Sequence, residues 1–217
     1  MKKGLLLLIF LTLLLINVLL MNIFLKGQKK DSNINYPEVS YLQNNNLSFA
    51  ELSDYFQELS DQKGAKYAYD VLKTAPIESG VDMHLLAHVV GDKLYSQYKA
   101  SGIEYCTEDF RNACSHSIVI NLFLEKGEGA ITDIREACKK APGGRGAYNM
   151  CFHGLGHGVF AYTKYNLGKT IDLCTKVSLS GKKRREFIEC VGGTIMESIS
   201  GGGHDQQLWE KEVGKYF

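Results

Sequence analysis

Cys151-Phe152-His153-Gly154-Leu155-Gly156-His157-Gly158 is the stretch on which the fold turns. Its opening pattern, Cys-x-His-small, returns upstream as Cys114-Ser115-His116-Ser117 and downstream as Cys190-Val191-Gly192-Gly193, at spacings of 37 and 39 residues. A degenerate copy, Leu86-Ala87-His88-Val89, precedes Cys114 by 28 residues. The other three cysteines each precede one of these copies: Cys106 before Cys114, Cys138 before Cys151 and Cys174 before Cys190. The repeating unit is therefore a short cysteine-bearing segment, a loop and a longer helix. Helix pairs repeated at this interval predict an all-α fold of helical hairpins, in an α-solenoid or a bundle-like array.

Working outward, turn residues divide the chain into helices over 49–60, 62–74, 82–98, 111–126, 131–140, 147–165, 169–177, 183–199 and 205–213. The dividers include Ser79-Gly80, Ser101-Gly102, Gly127 to Gly129, Pro142 to Gly146 and Gly201 to Gly203, and no run alternates as a strand does. Ser48 and Glu51 form a capping-box pattern ahead of Phe49, Leu52, Phe56 and Leu59 at helical spacing. Residues 26–46 are polar and aperiodic and read as a tether, so the helical-repeat domain is expected over 47–217.

Six cysteines allow fifteen pairings. The repeat selects Cys106–Cys114, Cys138–Cys151 and Cys174–Cys190. The last two would each staple a helix pair across its loop, for roughly 3 kcal/mol apiece on the chain-entropy account. Such pairing suits an oxidising compartment.

The N-terminus reads as a membrane anchor. Residues 1–3 form a short charged n-region, and residues 4–25 are an uncharged apolar run. At 1.5 Å per residue that run reaches about 33 Å, enough for a hydrocarbon core of about 30 Å. It ends without a small-residue cleavage site, which favours a signal-anchor. Lysines flank it on both sides, Lys2 and Lys3 before and Lys26, Lys29 and Lys30 after. Charge therefore does not orient it, and the paired cysteines place the C-terminal domain outside the cytoplasm with the N-terminus inside. These five lysines stand with no acid among residues 1–30, so the rest of the chain carries a net charge of about −4, which excludes nucleic acid as a partner.

Only six histidines occur, and five are patterned. His84 and His88 are four apart on one expected helix, His153 and His157 four apart on another, and His116 lies on the helix between. Residues at i and i+4 share a helix face. His88, His116 and His153 hold one register in successive repeats, and equivalent positions of stacked repeats form a row. The three glycines among residues 154–158 each cost about 1 kcal/mol against alanine in a helix, so they imply close backbone approach or ligand access.

Five convergent imidazoles predict a metal centre of His84, His88, His116, His153 and His157, with zinc or copper favoured and iron also compatible. Glu197, one residue past the register of His157 on the last long helix, and Asp92, four after His88, are the expected acid/base carboxylates. His204 is a weaker ligand candidate. His-Glu-x-x-His does not occur, which removes the usual helix-borne base of zinc proteases. The functional expectation is a membrane-anchored extracytoplasmic protein with a metal-dependent hydrolase or oxidoreductase centre acting on an unknown small molecule. The alternative is a disulfide-stapled scaffold with structural histidines that binds a protein or an envelope polymer.

Overall fold

The computed structural model describes Leu14 and residues 36–77, 80–178, 184–199 and 206–214. The chain divides into two compact units, Met1–Pro37 and Glu38–Phe217. The expected membrane anchor at residues 4–25 lies outside the described residues, Leu14 apart. Among the described residues no helix is long and apolar enough to cross a membrane.

Among the described residues of the second unit, the secondary-structure elements are helical. In chain order the α-helices are α1 (Pro37–Asn44), α2 (Phe49–Lys63), α3 (Ala65–Thr74), α4 (Met83–Tyr98), α5 (Ala113–Lys126), α6 (Ile131–Lys140), α7 (Gly144–Tyr162), α8 (Leu167–Val177), α9 (Arg185–Ile199) and α10 (Gln206–Glu212). Among the described residues, tight 3₁₀ segments at Lys99–Tyr105 and Gly127–Ala130 and an irregular turn at Asp109–Asn112 fill loops between them. The capping box forms as expected: Glu51 N–H donates to Ser48 Oγ and Ser48 N–H to Glu51 Oε2. Leu52, Phe56 and Leu59 are buried, but Phe49 is 39% exposed.

Helix α1 corrects the expected tether, since Pro37–Asn44 is ordered. Proline suits a first helical position because its missing N–H costs nothing there. The helix is held by contacts distant in sequence. Buried Glu38 pairs with Lys63 Nζ at 2.5 Å and accepts from Tyr67 Oη at 2.8 Å.

The long helices α4, α5, α7 and α9 pack one on the next in chain order. Their cross-links run at nearly constant offset. His88, Asp92 and Tyr95 of α4 meet Ser117, Asn121 and Glu125 of α5. Tyr148 and His157 of α7 meet Glu186 and Glu197 of α9. Rising residue numbers on one helix meet rising numbers on the next, so neighbours are parallel. That is the arrangement of repeats stacked through equivalent helices.

Contact between α7 and α9 is backbone to backbone. A Cβ on Gly156 would overlap the Cys190 carbonyl oxygen, and one on Gly193 would overlap that of His153. The glycines of the quoted stretch thus serve close approach. The core between layers is apolar, with Leu86, Leu94, Ile118, Phe123, Phe152 and Leu155 almost fully buried.

Two expected disulfides are present, Cys106–Cys114 and Cys174–Cys190. The third expectation is corrected: Cys138 and Cys151 are buried thiols. The repeat does bring them together, with Cys138 in hydrogen-bond contact with Cys151. Burial pushes the Cys138 thiol far above its ordinary pKa. That holds it in the protonated form, which is not the nucleophile of disulfide chemistry.

Candidate metal centre

The parallel row delivers the five histidines to one place. Asp82 caps α4, accepting from His84 N–H and Leu85 N–H, which fixes His84 in the first turn and His88 one turn on. Helix α5 carries His116 opposite them, and α7 brings His153 and His157 to its other side. Ring centroids lie 4.8 Å apart for His84–His88, 5.9 Å for His84–His116 and 6.0 Å for His88–His116. On the far side the spacings are 5.2 Å for His153–His157, 5.8 Å for His116–His153 and 6.0 Å for His116–His157. Two near-equal triangles share the His116 vertex.

Protons in the first triangle are assigned by its hydrogen bonds. His84 Nδ1 lies 2.7 Å from the Phe110 carbonyl oxygen, which only accepts, so this nitrogen carries the proton. Ser117 Oγ lies 3.0 Å from the His88 carbonyl oxygen and 2.9 Å from His88 Nδ1. Its single proton goes to the carbonyl, because otherwise two oxygens would face each other at 3.0 Å with no proton between them. Ser117 then accepts from His88 Nδ1–H. Both Nε2 atoms are left with lone pairs, and they face each other at 3.2 Å.

Two lone pairs at that distance repel unless a cation lies between them. Two nitrogens bound to a tetrahedral zinc ion at about 2.0–2.1 Å sit roughly 3.3 Å apart. The ligand atoms of His84, His88 and His116 all lie within 4.8 Å of one another.

The Phe110 carbonyl reaches His84 through unusual backbone. Phe110, Arg111 and Asn112 have φ of 54°, 55° and 63°, three consecutive left-handed residues without a glycine. Such conformations persist where their surroundings over-determine them. Here the Cys106–Cys114 disulfide closes the loop that contains all three.

His116 is 2% exposed, and neither of its ring nitrogens has a hydrogen-bond partner. Burial, followed by the neighbouring imidazoles, holds it well below the usual histidine pKa. Burial likewise lowers His84 and brings His153 down to about 4. These three rings are therefore neutral at physiological pH, as metal ligands must be.

On the α7 side, His157 Nδ1–H donates to Glu197 Oε2 at 2.8 Å, and the carboxylate is itself 2% exposed. A carboxylate behind an imidazole fixes the tautomer and raises the basicity of the far nitrogen. His153 Nε2 lies 3.4 Å from Met196 Sδ.

Glu197 thus reaches the cluster by accepting from His157. Asp92 is exposed and accepts from Asn121 Nδ2 at 2.7 Å, so it ties α4 to α5 at the surface. His204 lies outside the described residues. Sequence reasoning missed Ser117, Met196 and the Phe110 carbonyl. Ser117 alone had a legible signal, as the small residue following a registered histidine.

Comparison with protein-family models, curated proteins and solved structures finds no match to this chain.

Proposed function

We propose that this is a membrane-anchored extracytoplasmic protein that binds a transition-metal ion through His84, His88 and His116. The observation that carries the reading is the pair of Nε2 lone pairs facing each other at 3.2 Å, with both tautomers fixed from behind. A structural pair of histidines would share a proton across that contact; this pair spends its protons on Phe110 and Ser117. All-imidazole ligation suits zinc or copper. Three protein ligands leave a tetrahedral ion one position for water, dioxygen or substrate, the arrangement that metal-dependent hydrolases and oxidoreductases require.

Anchoring and side rest on separate supports. The 22 uncharged apolar residues 4–25 match a bilayer in length. Two disulfides favour an oxidising compartment.

The test is elemental analysis of the full chain extracted from membranes in detergent. Stoichiometric zinc, copper or iron, lost in His84→Ala and in His88→Ala while circular dichroism stays helical, supports the reading. Wild-type protein that is metal-free as isolated, binds no added Zn²⁺ or Cu²⁺ and melts identically with and without chelator returns it to the scaffold alternative.

A further inference from the structure

One ion at His84 and His88 leaves part of the cluster unexplained, and the remainder is on His116. An imidazole carries its two nitrogens on either side of one ring carbon, with diverging lone pairs, so a single ion takes only one of them. The other would stay buried without a partner, a state that is costly for a polar group. In His116 both nitrogens are in that position, and the ring is almost wholly enclosed.

A second histidine pair stands beside the same ring, on α7. His153 and His157 stand on α7 at the same i,i+4 spacing as His84 and His88 on α4. Their distances to His116, 5.8 and 6.0 Å, match the 5.9 and 6.0 Å on the other side. Glu197 takes the Nδ1 proton of His157, which leaves the ligating lone pair on Nε2. His153 Nε2 turns toward Met196 Sδ, a weak acceptor, and His153 Nδ1 lies 3.8 Å from Glu189 Oε2, so this ring must turn to ligate the ion.

We infer that the centre holds two metal ions, the second bound by His116, His157 and His153, with the His116 ring bridging the pair. This rests on the single-ion reading above and extends it. As the second ion binds, His116 gives up its remaining ring proton to solvent and becomes an imidazolate. No electron is transferred in that step. Glu197 is a positioning residue for the second ion.

Full-length protein, stripped by chelator and desalted, is titrated with Zn²⁺ alone and with Cu²⁺ alone. Two equivalents are expected, and the doubly loaded copper form should show an electron paramagnetic resonance signal diminished by coupling through the bridge. His157→Ala should hold one equivalent with an ordinary mononuclear copper signal. Glu197→Gln should weaken the second equivalent about 10–100-fold and leave the first unchanged.

One equivalent in wild type overturns the second site and leaves the first standing; no binding at all overturns both. Two equivalents with a full uncoupled signal overturn the bridge, and two equivalents retained in His157→Ala overturn the assignment. Should His157→Ala fail to fold, the wild-type stoichiometry and spectrum decide.

Discussion

The two histidine pairs that flank His116 have the same spacing on their helices and the same distance to the shared ring, yet they are held by different means. His84 and His88 rest on neutral acceptors, a backbone carbonyl and a serine hydroxyl. His157 rests on a buried carboxylate, and His153 lies between a thioether and the Glu189 carboxylate. The α4 side takes its order from a strained loop closed by a disulfide, the α7 side from direct contact between backbones. The lesson is that repetition copies histidine positions, while each copy needs its own neighbours to aim the nitrogens.

The largest expected effect breaks the α7 side. Gly193→Ala drives a Cβ into the His153 carbonyl, where neither backbone can yield. A loss of about 3 kcal/mol, the upper range for overpacking, is expected in denaturant titration. At the adjacent Gly192, a Cβ would meet the His153 ring at 3.5 Å from Nδ1 and 3.8 Å from Cε1, ordinary contacts. Gly192→Ala should therefore fold with little change. Equal effects at the two positions would disprove the close approach.

Acid comes next and separates the pairs by titration in metal-free protein. His153 has its folded pKa depressed to about 4 by burial, against an ordinary 6.5. As pH falls below 6.5 the unfolded chain takes up this proton while the folded chain does not. The stability contribution is thus complete above pH 6.5 and lost as pH falls to 4, by up to about 3 kcal/mol. His84 and His116 shift in the same direction. Thermal melts across that range check it, and a flat profile between pH 6.5 and 4 would refute the neutral cluster.

The smallest effect should isolate the α4 side. Replacing Cys106 and Cys114 together with serine removes a disulfide spanning eight residues, for about 2.5 kcal/mol on the chain-entropy account. It also frees the left-handed segment that aims the Phe110 carbonyl. The first ion should weaken about 10-fold, as for a lost outer partner of a ligand, and the second should not. Separate binding isotherms for the two equivalents measure it; equal weakening of both would show that the loop supports the whole cluster.

Much of the fold could be read from the chain because its signals are local. Turn residues bounded the helices to within a few positions, as at Met83–Tyr98 and Ile131–Lys140. The registered histidines did converge, since stacked repeats place equivalent residues side by side. Helix α1 escaped notice because eight weakly periodic residues owe their order to Lys63 and Tyr67, more than twenty residues away.

The amino-acid sequence by itself determined the repeat, the helices, the pairing of cysteines by position, and which five histidines come close together. Tertiary structure alone decided where the ring protons of His84, His88 and His157 sit, that Glu197 accepts from His157, that Asp92 accepts from Asn121 at the surface, and that Cys138 and Cys151 meet as thiols. The division has one cause. Period and capping are set by neighbours along the chain, whereas a tautomer, a thiol's protonation or a carboxylate's role is set by whichever atom another element brings within about 3 Å.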